Sequence, residues 1–427
     1  MNRQDHTGKT YLADLGLTDR PYYILGFLLW PFGFALEAFR QWDKPWAKNV
    51  FWLFCIYFGF TFIIGEVGGP DSARYAQDFV ELAHSREGLR GLWSQFYVVG
   101  SDNTDVISPM VMFLVSRFTD NPTALFIVFA LISGYFYSRN VWYVLEKTEG
   151  KRSVMIVLYL VTFILINPIW NINGFRFSVA AQIFLFGTLP YLLEGRKRSL
   201  LWSGIAVLAH FTFLLPVSIL GLYMLVGNRK YIFLAFFILT ALFREISLEW
   251  FQSTLSILPD FIFFEISNYM SEEYAELRRL SEQELPWFII YAERGIRWVS
   301  YLIVLTAFLH GRQVLKERSD LLRVLCFSLL LYGFANILSI IPSGDRFFII
   351  ANTFMIPFFL MLMVAHPVIR EKLIIHMLAI PLLLLFGVVQ IRFGMSYFSI
   401  ITLVGNPFTA AFYSDPVPLI DQLRNLL

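Results

Sequence analysis

Residues 154–198 read VMIVLYLVTFILINPIWNINGFRFSVAAQIFLFGTLPYLLEGRKR, and this stretch decides the fold class. Residues 154–170 and 175–193 are apolar runs, each close to the roughly 20 residues that carry a helix across a hydrocarbon core. A polar turn, Asn171 to Arg176, separates them, and a basic loop, Arg196-Lys197-Arg198, follows. Backbone groups in lipid must be satisfied within the segment, so the stretch reads as a membrane helical hairpin with a polar tip at one end and basic charge at the other.

The pattern continues outward in both directions. Apolar runs cover residues 22–38, 50–64, 122–144, 200–226, 231–243, 287–309, 321–341, 347–365 and 373–391. Hydrophobic residues make up 57% of the chain, charged residues only 15%, and the mean hydropathy is +0.60, which excludes an ordinary soluble domain. The expected fold is an all-α integral membrane protein, a polytopic bundle of about 11–13 transmembrane segments with short re-entrant or broken helices. It forms a single transmembrane domain over residues 1–427, without internal repeats.

A net charge of +2 from 34 basic and 32 acidic residues gives no nucleic-acid footprint. Cys55 and Cys326 lie inside apolar runs without metal-ligand spacing, so neither a disulfide framework, a metal nor a cofactor is expected.

Short loops rich in Lys and Arg stay cytoplasmic. Those around Arg40, Lys147, Arg196, Arg229, Arg312 and Arg370 therefore define one face. Keeping them together forces two adjustments. Residues 106–115 become a half-helix that dips in and out. Residues 200–226, bounded by basic clusters on both sides, become two short helices that meet near His210. The segment 22–38 is expected to be uncleaved and bent at Trp30-Pro31-Phe32-Gly33, as a span or as a re-entrant hairpin. The outer face then receives the long loops 66–105 and 245–286, both with interfacial helices, the turns 171–176 and 342–346, the tip at His210, and the tail 393–427. Within the second loop, 248–269 suits an interfacial helix and 271–284 is acidic.

These outer segments hold the candidate chemistry. Arg176, at the mouth of an apolar helix, either snorkels to headgroups or binds an anion such as a phosphate. Asp345 either caps the helix that begins with Arg346 or acts with that arginine. Asp71, Arg74 and Tyr75 share a face if residue 71 opens a helix, with Asp71 itself a natural cap. His210 is either a hydrogen-bonded packing residue or a base. Glu293-Arg294 is a candidate internal ion pair.

Together these residues resemble the EpsG branch of the Wzy-like polysaccharide polymerases, enzymes of exopolysaccharide and O-antigen synthesis. The resemblance lies in Asp71-x-x-Arg74-Tyr75, Asn173-x-x-Arg176 followed by Ala180, His210, Asp345-Arg346-Phe347 and the step Pro407-Phe408. It departs at Gly174-Phe175 and at Phe177. The resemblance implies a GT-C-type glycosyltransferase that joins polyprenyl-pyrophosphate-linked repeat units at the outer face of the bacterial inner membrane. Asp71, His210 or Asp345 would be the catalytic base, and Arg74, Tyr75, Asn173, Arg176 and Arg346 would bind substrate and pyrophosphate without a metal. Membrane lipid, a flippase and a chain-length-regulating copolymerase are the implied partners. Two other readings use the same residues. One is a flippase for a lipid-linked glycan, for which repeat symmetry and midplane charges are missing. The other is a membrane O-acyltransferase with His210 as base, for which a second His or Asp beside it in sequence is missing.

Overall fold

Helices start and stop where side chains replace the backbone bonds a helix end leaves open. In the computed structural model, Asn121 caps the first long helix by accepting from Thr123 N at 2.9 Å, with Pro122 in the first turn, and Ser153 caps the next from Ile156 N at 3.3 Å. The structure describes residues 20–65, 71–85, 88–95, 105–151, 153–242, 285–339, 341, 343–371, 373–413 and 417–426. The expected interfacial helix at 248–269 and the acidic stretch 271–284 lie outside the described residues.

Regular structure among the described residues is entirely helical. α1 (Arg20–Leu29) and α2 (Pro31–Arg40) fold back on each other about Trp30-Pro31. Gly26 lies against the Phe34 ring, Tyr22 meets that ring edge-on at 6.0 Å, and Tyr23 stacks on Trp46 at 3.7 Å. At 1.5 Å per residue each arm is about 15 Å long, half of a hydrocarbon core, so the segment is a hairpin of half-length helices. α3 (Ala47–Phe60) follows, then α4 (Asp71–His84), α5 (Leu89–Gln95) and α6 (Ile107–Ser116). α6 has 10 residues, as the short-helix reading of 106–115 requires.

α7 (Pro122–Glu146) leads to α8 (Val154–Ile166), a 3₁₀ turn at Ile169–Gly174, and α9 (Phe175–Glu194), closed by Gly195 at φ 70°. α10 (Leu200–Ala209) and α11 (Leu214–Val226) meet at His210, whose extended backbone (φ −154°, ψ 119°) breaks the apolar stretch where expected. Then come α12 (Lys230–Leu242), α13 (Trp287–Leu309), α14 (Arg312–Glu317), α15 (Ser319–Leu338) and α16 (Arg346–Ala365). α17 (Pro367–Glu371), α18 (Leu373–Gly394), α19 (Ile400–Val404), α20 (Pro407–Ala411) and α21 (Leu419–Leu426) complete the chain.

Among the described residues five helical stretches are long and apolar enough to cross a membrane, and α3, α6, α11 and α12 are shorter apolar helices. α16 is the centre of the bundle, with 89% of its apolar window buried, whereas α18 lies at the rim with 28%. The outer surface keeps Leu201, Leu225, Tyr231, Ile232 and Val388 exposed, an apolar periphery suited to lipid rather than water. Helices approach closely where small residues permit: a Cβ at Gly187 of α9 would lie 2.4 Å from Ser203 N of α10.

The basic loops converge on one end. Lys147 pairs with Glu194 at 2.8 Å, Lys151 Nζ donates to Val364 O at 2.8 Å, and Arg323 Nη2 donates to Leu193 O at 3.0 Å. Trp142 Nε1 reaches Trp42 O at 3.0 Å, bringing the loop after Arg40 to the same end. The turns containing Arg176, His210 and Asp345 lie at the other ends of these same helices.

Candidate active site

The first wall of the site begins where α8 stops. Asn167 leaves helical geometry, and its amide ties the end of α8 to α9 and to the turn between them: Nδ2 donates to Ser178 O, and Oδ1 accepts from Ser178 Oγ and Asn171 Nδ2, all at 3.0 Å. Gln182 Nε2 donates to Asn167 O at 3.1 Å, and Asn140 Nδ2 of α7 donates to Gln182 Oε1 at 2.8 Å. A satisfied buried amide chain of this kind fixes α7, α8 and α9 against one another, and so fixes the turn that carries Asn173 and Arg176.

Asn173 Oδ1 accepts from Ser72 N at 3.1 Å, which docks the start of α4. Phe175 stacks on Phe129 at 3.7 Å, and Tyr75 meets the same Phe129 ring edge-on at 5.7 Å. The phenol oxygen of Tyr75 then accepts from Arg176 Nε at 3.3 Å. Phe175 therefore anchors the arginine, and Phe177 packs edge-on against the His210 ring at 5.8 Å. Both departures from the family pattern are thus built into the wall.

His210 owes its place to the helix break and to a residue the sequence did not single out, Asp105. The break frees the N–H of Phe211, which donates to Asp105 Oδ1 at 2.7 Å, while Val106 N donates to Leu208 O at 2.9 Å. Asp105 is 1% exposed. Its Oδ1 lies 3.5 Å from His210 Nδ1, and its Oδ2 lies 3.3 Å from Arg176 Nη1. The second contact is an ion pair without hydrogen-bond alignment, so Oδ2 accepts no hydrogen bond. Burial pushes the Asp105 carboxyl up, but the hydrogen bond and charge of His210, the charge of Arg176 and the Phe211 N–H outweigh it and hold the group below the usual carboxylate range.

The facing wall comes from α13 and α16. Arg297 Nη2 donates to Asp345 Oδ1 at 2.7 Å, and its guanidinium lies over the Phe348 ring at 4.0 Å. Asp345 precedes α16 but its side chain makes no capping bond. Its partner is Arg297 of the adjoining α13, neither the helix end nor Arg346. Deeper in, Asn352 Oδ1 accepts from Ser300 Oγ at 2.9 Å and from the Tyr332 hydroxyl.

Between the walls lies a cavity of about 420 Å³. Asp71, Tyr75, Asn173, Arg176, His210, Asp345 and Arg346 all line it. Arg74 does not; it pairs with Asp71 at 3.1 Å. Of Glu293 and Arg294 only the glutamate lines the cavity, and the arginine of α13 that does so is Arg297. Ile296, Phe386 and Phe393 form an apolar flank. Asp105, Arg297 and Asn352 were missed in the sequence. A carboxylate beside an apolar half-helix and a third charge in the 287–309 run were the available signals. Among the described residues no three His, Cys, Asp or Glu side chains gather to hold a metal ion. Arg176, Arg297 and Arg346 are the cavity's groups for an anion.

A polytopic helix bundle with a cavity lined by arginines, one histidine and amides, at the end away from its basic loops, defines a membrane protein with a polar, arginine-rich cavity at one end of its bundle. The chain belongs to the EpsG family, whose model matches residues 50–403 and so includes every residue of both walls. Membership gives it, in broad terms, the role of a polysaccharide polymerase. No curated protein and no solved structure matches the chain.

Proposed function

We propose that this protein is a GT-C-type glycosyltransferase that joins polyprenyl-pyrophosphate-linked oligosaccharide repeat units at the outer face of the bacterial inner membrane. The observation that carries the proposal is the pairing of a histidine with three arginines in one cavity, at the bundle end opposite the basic loops. Positive-inside orientation puts that end outside. The apolar flank of Ile296, Phe386 and Phe393 suits the first isoprene units of a lipid carrier.

His210 is the base we favour. Asp71 and Asp345 are each engaged by an arginine, at 3.1 and 2.7 Å. His210 Nδ1 faces Asp105, which leaves Nε2 as the ring nitrogen for an acceptor hydroxyl. Arg346 makes no ion pair with any described residue and is exposed at the cavity mouth. With Arg297 and Arg176 it supplies positive charge where the leaving pyrophosphate gains negative charge. A flippase delivering repeat units and a copolymerase setting chain length are the partners this role requires.

The test is elongation in a defined system. Radiolabelled lipid-linked repeat units incubated with purified protein should give a ladder of longer glycans on the same carrier. Folded protein that leaves its cognate unit unextended refutes the assignment.

A further inference from the structure

Asp105 has no role in the chemistry described so far, yet it is the most buried charged group at the site and touches both groups that do. We propose that Asp105 is the shared counter-ion of Arg176 and His210, a positioning residue that couples loss of the acceptor proton to departure of the pyrophosphate. This rests on the polymerase reading of the cavity.

In the resting site one carboxylate faces a guanidinium at 3.3 Å and an imidazole at 3.5 Å. As the acceptor hydroxyl attacks, its proton passes to His210 Nε2 and an oxygen electron pair forms the bond to the anomeric carbon. The bond from that carbon to the pyrophosphate oxygen breaks, and its electron pair stays on the phosphate. The imidazole is now a cation, so the Asp105 charge is drawn to the Nδ1 proton. Arg176, 28% exposed where Asp105 is 1%, is released toward the phosphate oxygen that has gained charge. One proton transfer thus strengthens the electrostatic help at the leaving group.

The other charged groups lining the cavity are Asp71 from α4, Glu293 and Arg297 from α13, Asp345 just before α16 and Arg346 at its start. Asp71 and Asp345 pair with their own arginines, whereas Asp105 is the carboxylate in contact with His210. The competing account is that Asp105 only holds the helix break by accepting the Phe211 N–H.

Asp105→Asn separates the two accounts, because the amide oxygen still accepts from Phe211 N while the charge is gone. With full-length protein in lipid nanodiscs and the radiolabelled repeat unit, this variant should insert and fold but elongate about 10²-fold more slowly. The loss should fall on kcat, with KM for the repeat unit little changed, because the charge acts on the proton transfer and the leaving group rather than on binding. Asp105→Glu, which keeps the charge, should recover much of the rate.

A wild-type rate in Asp105→Asn, or an Asp105→Glu variant no faster than Asp105→Asn, overturns the proposal. Should Asp105→Asn fail to fold, Asp105→Glu makes the test with the charge kept: its rate should stay within about tenfold of wild type while Arg176→Gln, which removes the partner charge, loses about 10²-fold in kcat, and an equal loss in both overturns the coupling. If the wild-type protein extends nothing while the stabilities of Asp105→Asn and Arg176→Gln still fail to add, the polymerase reading fails and the shared counter-ion stands.

Discussion

Arg176→Ala should cost stability as well as activity, because it strips a guanidinium from a carboxylate that is 1% exposed. At 3.3 Å the pair attraction is about 5 kcal/mol for an effective dielectric constant near 20. Arg176 is 28% exposed and partly screened, and the Phe211 N–H and His210 stay beside Asp105. The net cost should therefore be about 2–3 kcal/mol, below the upper values for breaking a fully buried pair. Adding Asp105→Asn removes the stranded charge and keeps an acceptor for Phe211 N. The double variant should then be more stable than Arg176→Ala alone by roughly 1–2 kcal/mol. Reversible unfolding by steric trapping in bicelles, run on the four members of the cycle, gives the coupling directly. Membrane insertion should be unchanged in all four, and Arg176→Ala should make no polymer. Additivity of the two single changes within about 0.5 kcal/mol would mean that the ion pair does not hold the site together. Full polymer from Arg176→Ala would remove Arg176 from the mechanism.

Three further outcomes follow from the same contacts. Gly187→Val would place a Cβ 2.4 Å from Ser203 N, wedge α9 from α10 and lower stability by about 1–3 kcal/mol or block folding, read by thermal aggregation in detergent. Arg346→Ala should slow elongation about 10²-fold with the pyrophosphate donor, and a donor with an intrinsically better leaving group should recover most of it; equal loss with both donors would move Arg346 away from the leaving group. The Asp105 carboxyl is held below its ordinary range when folded, so its stabilisation is present above about pH 3.9 and is lost as pH falls through the lower folded value. The stability gap between wild type and Asp105→Asn should persist down to about pH 4 and close only below it, whereas a gap that closes near neutrality would contradict that ionisation.

What the sequence revealed and what it hid divide along a physical line. Apolar length and basic loops are one-dimensional signals, so the membrane bundle, the half-length α6 and the break at His210 are all legible in the sequence. The family motif likewise marked Asp71, Asn173, Arg176, His210, Asp345 and Arg346, and the structure brings them to one cavity. What the sequence hid is how residues meet across the fold. Glu293 and Arg294 are neighbours in sequence, but consecutive helical residues point about 100° apart, so the arginine of this helix that lines the cavity with Glu293 is the one four positions on, Arg297. Asp345 stood where a helix cap belongs, yet a guanidinium at 2.7 Å competes better for a carboxylate than the weak dipole of a helix end. Asp105 was hardest to see, because its importance lies in burial against two distant segments and nothing adjacent in sequence records that. A carboxylate 1% exposed persists in a membrane bundle only if positive groups and a backbone N–H repay its desolvation, and here the groups that do so are Arg176, His210 and Phe211. The same three contacts that make Asp105 tolerable therefore set the distance between His210 and Arg176, and the one from Phe211 N, which needs only an acceptor oxygen, holds the helix break even when the charge is gone.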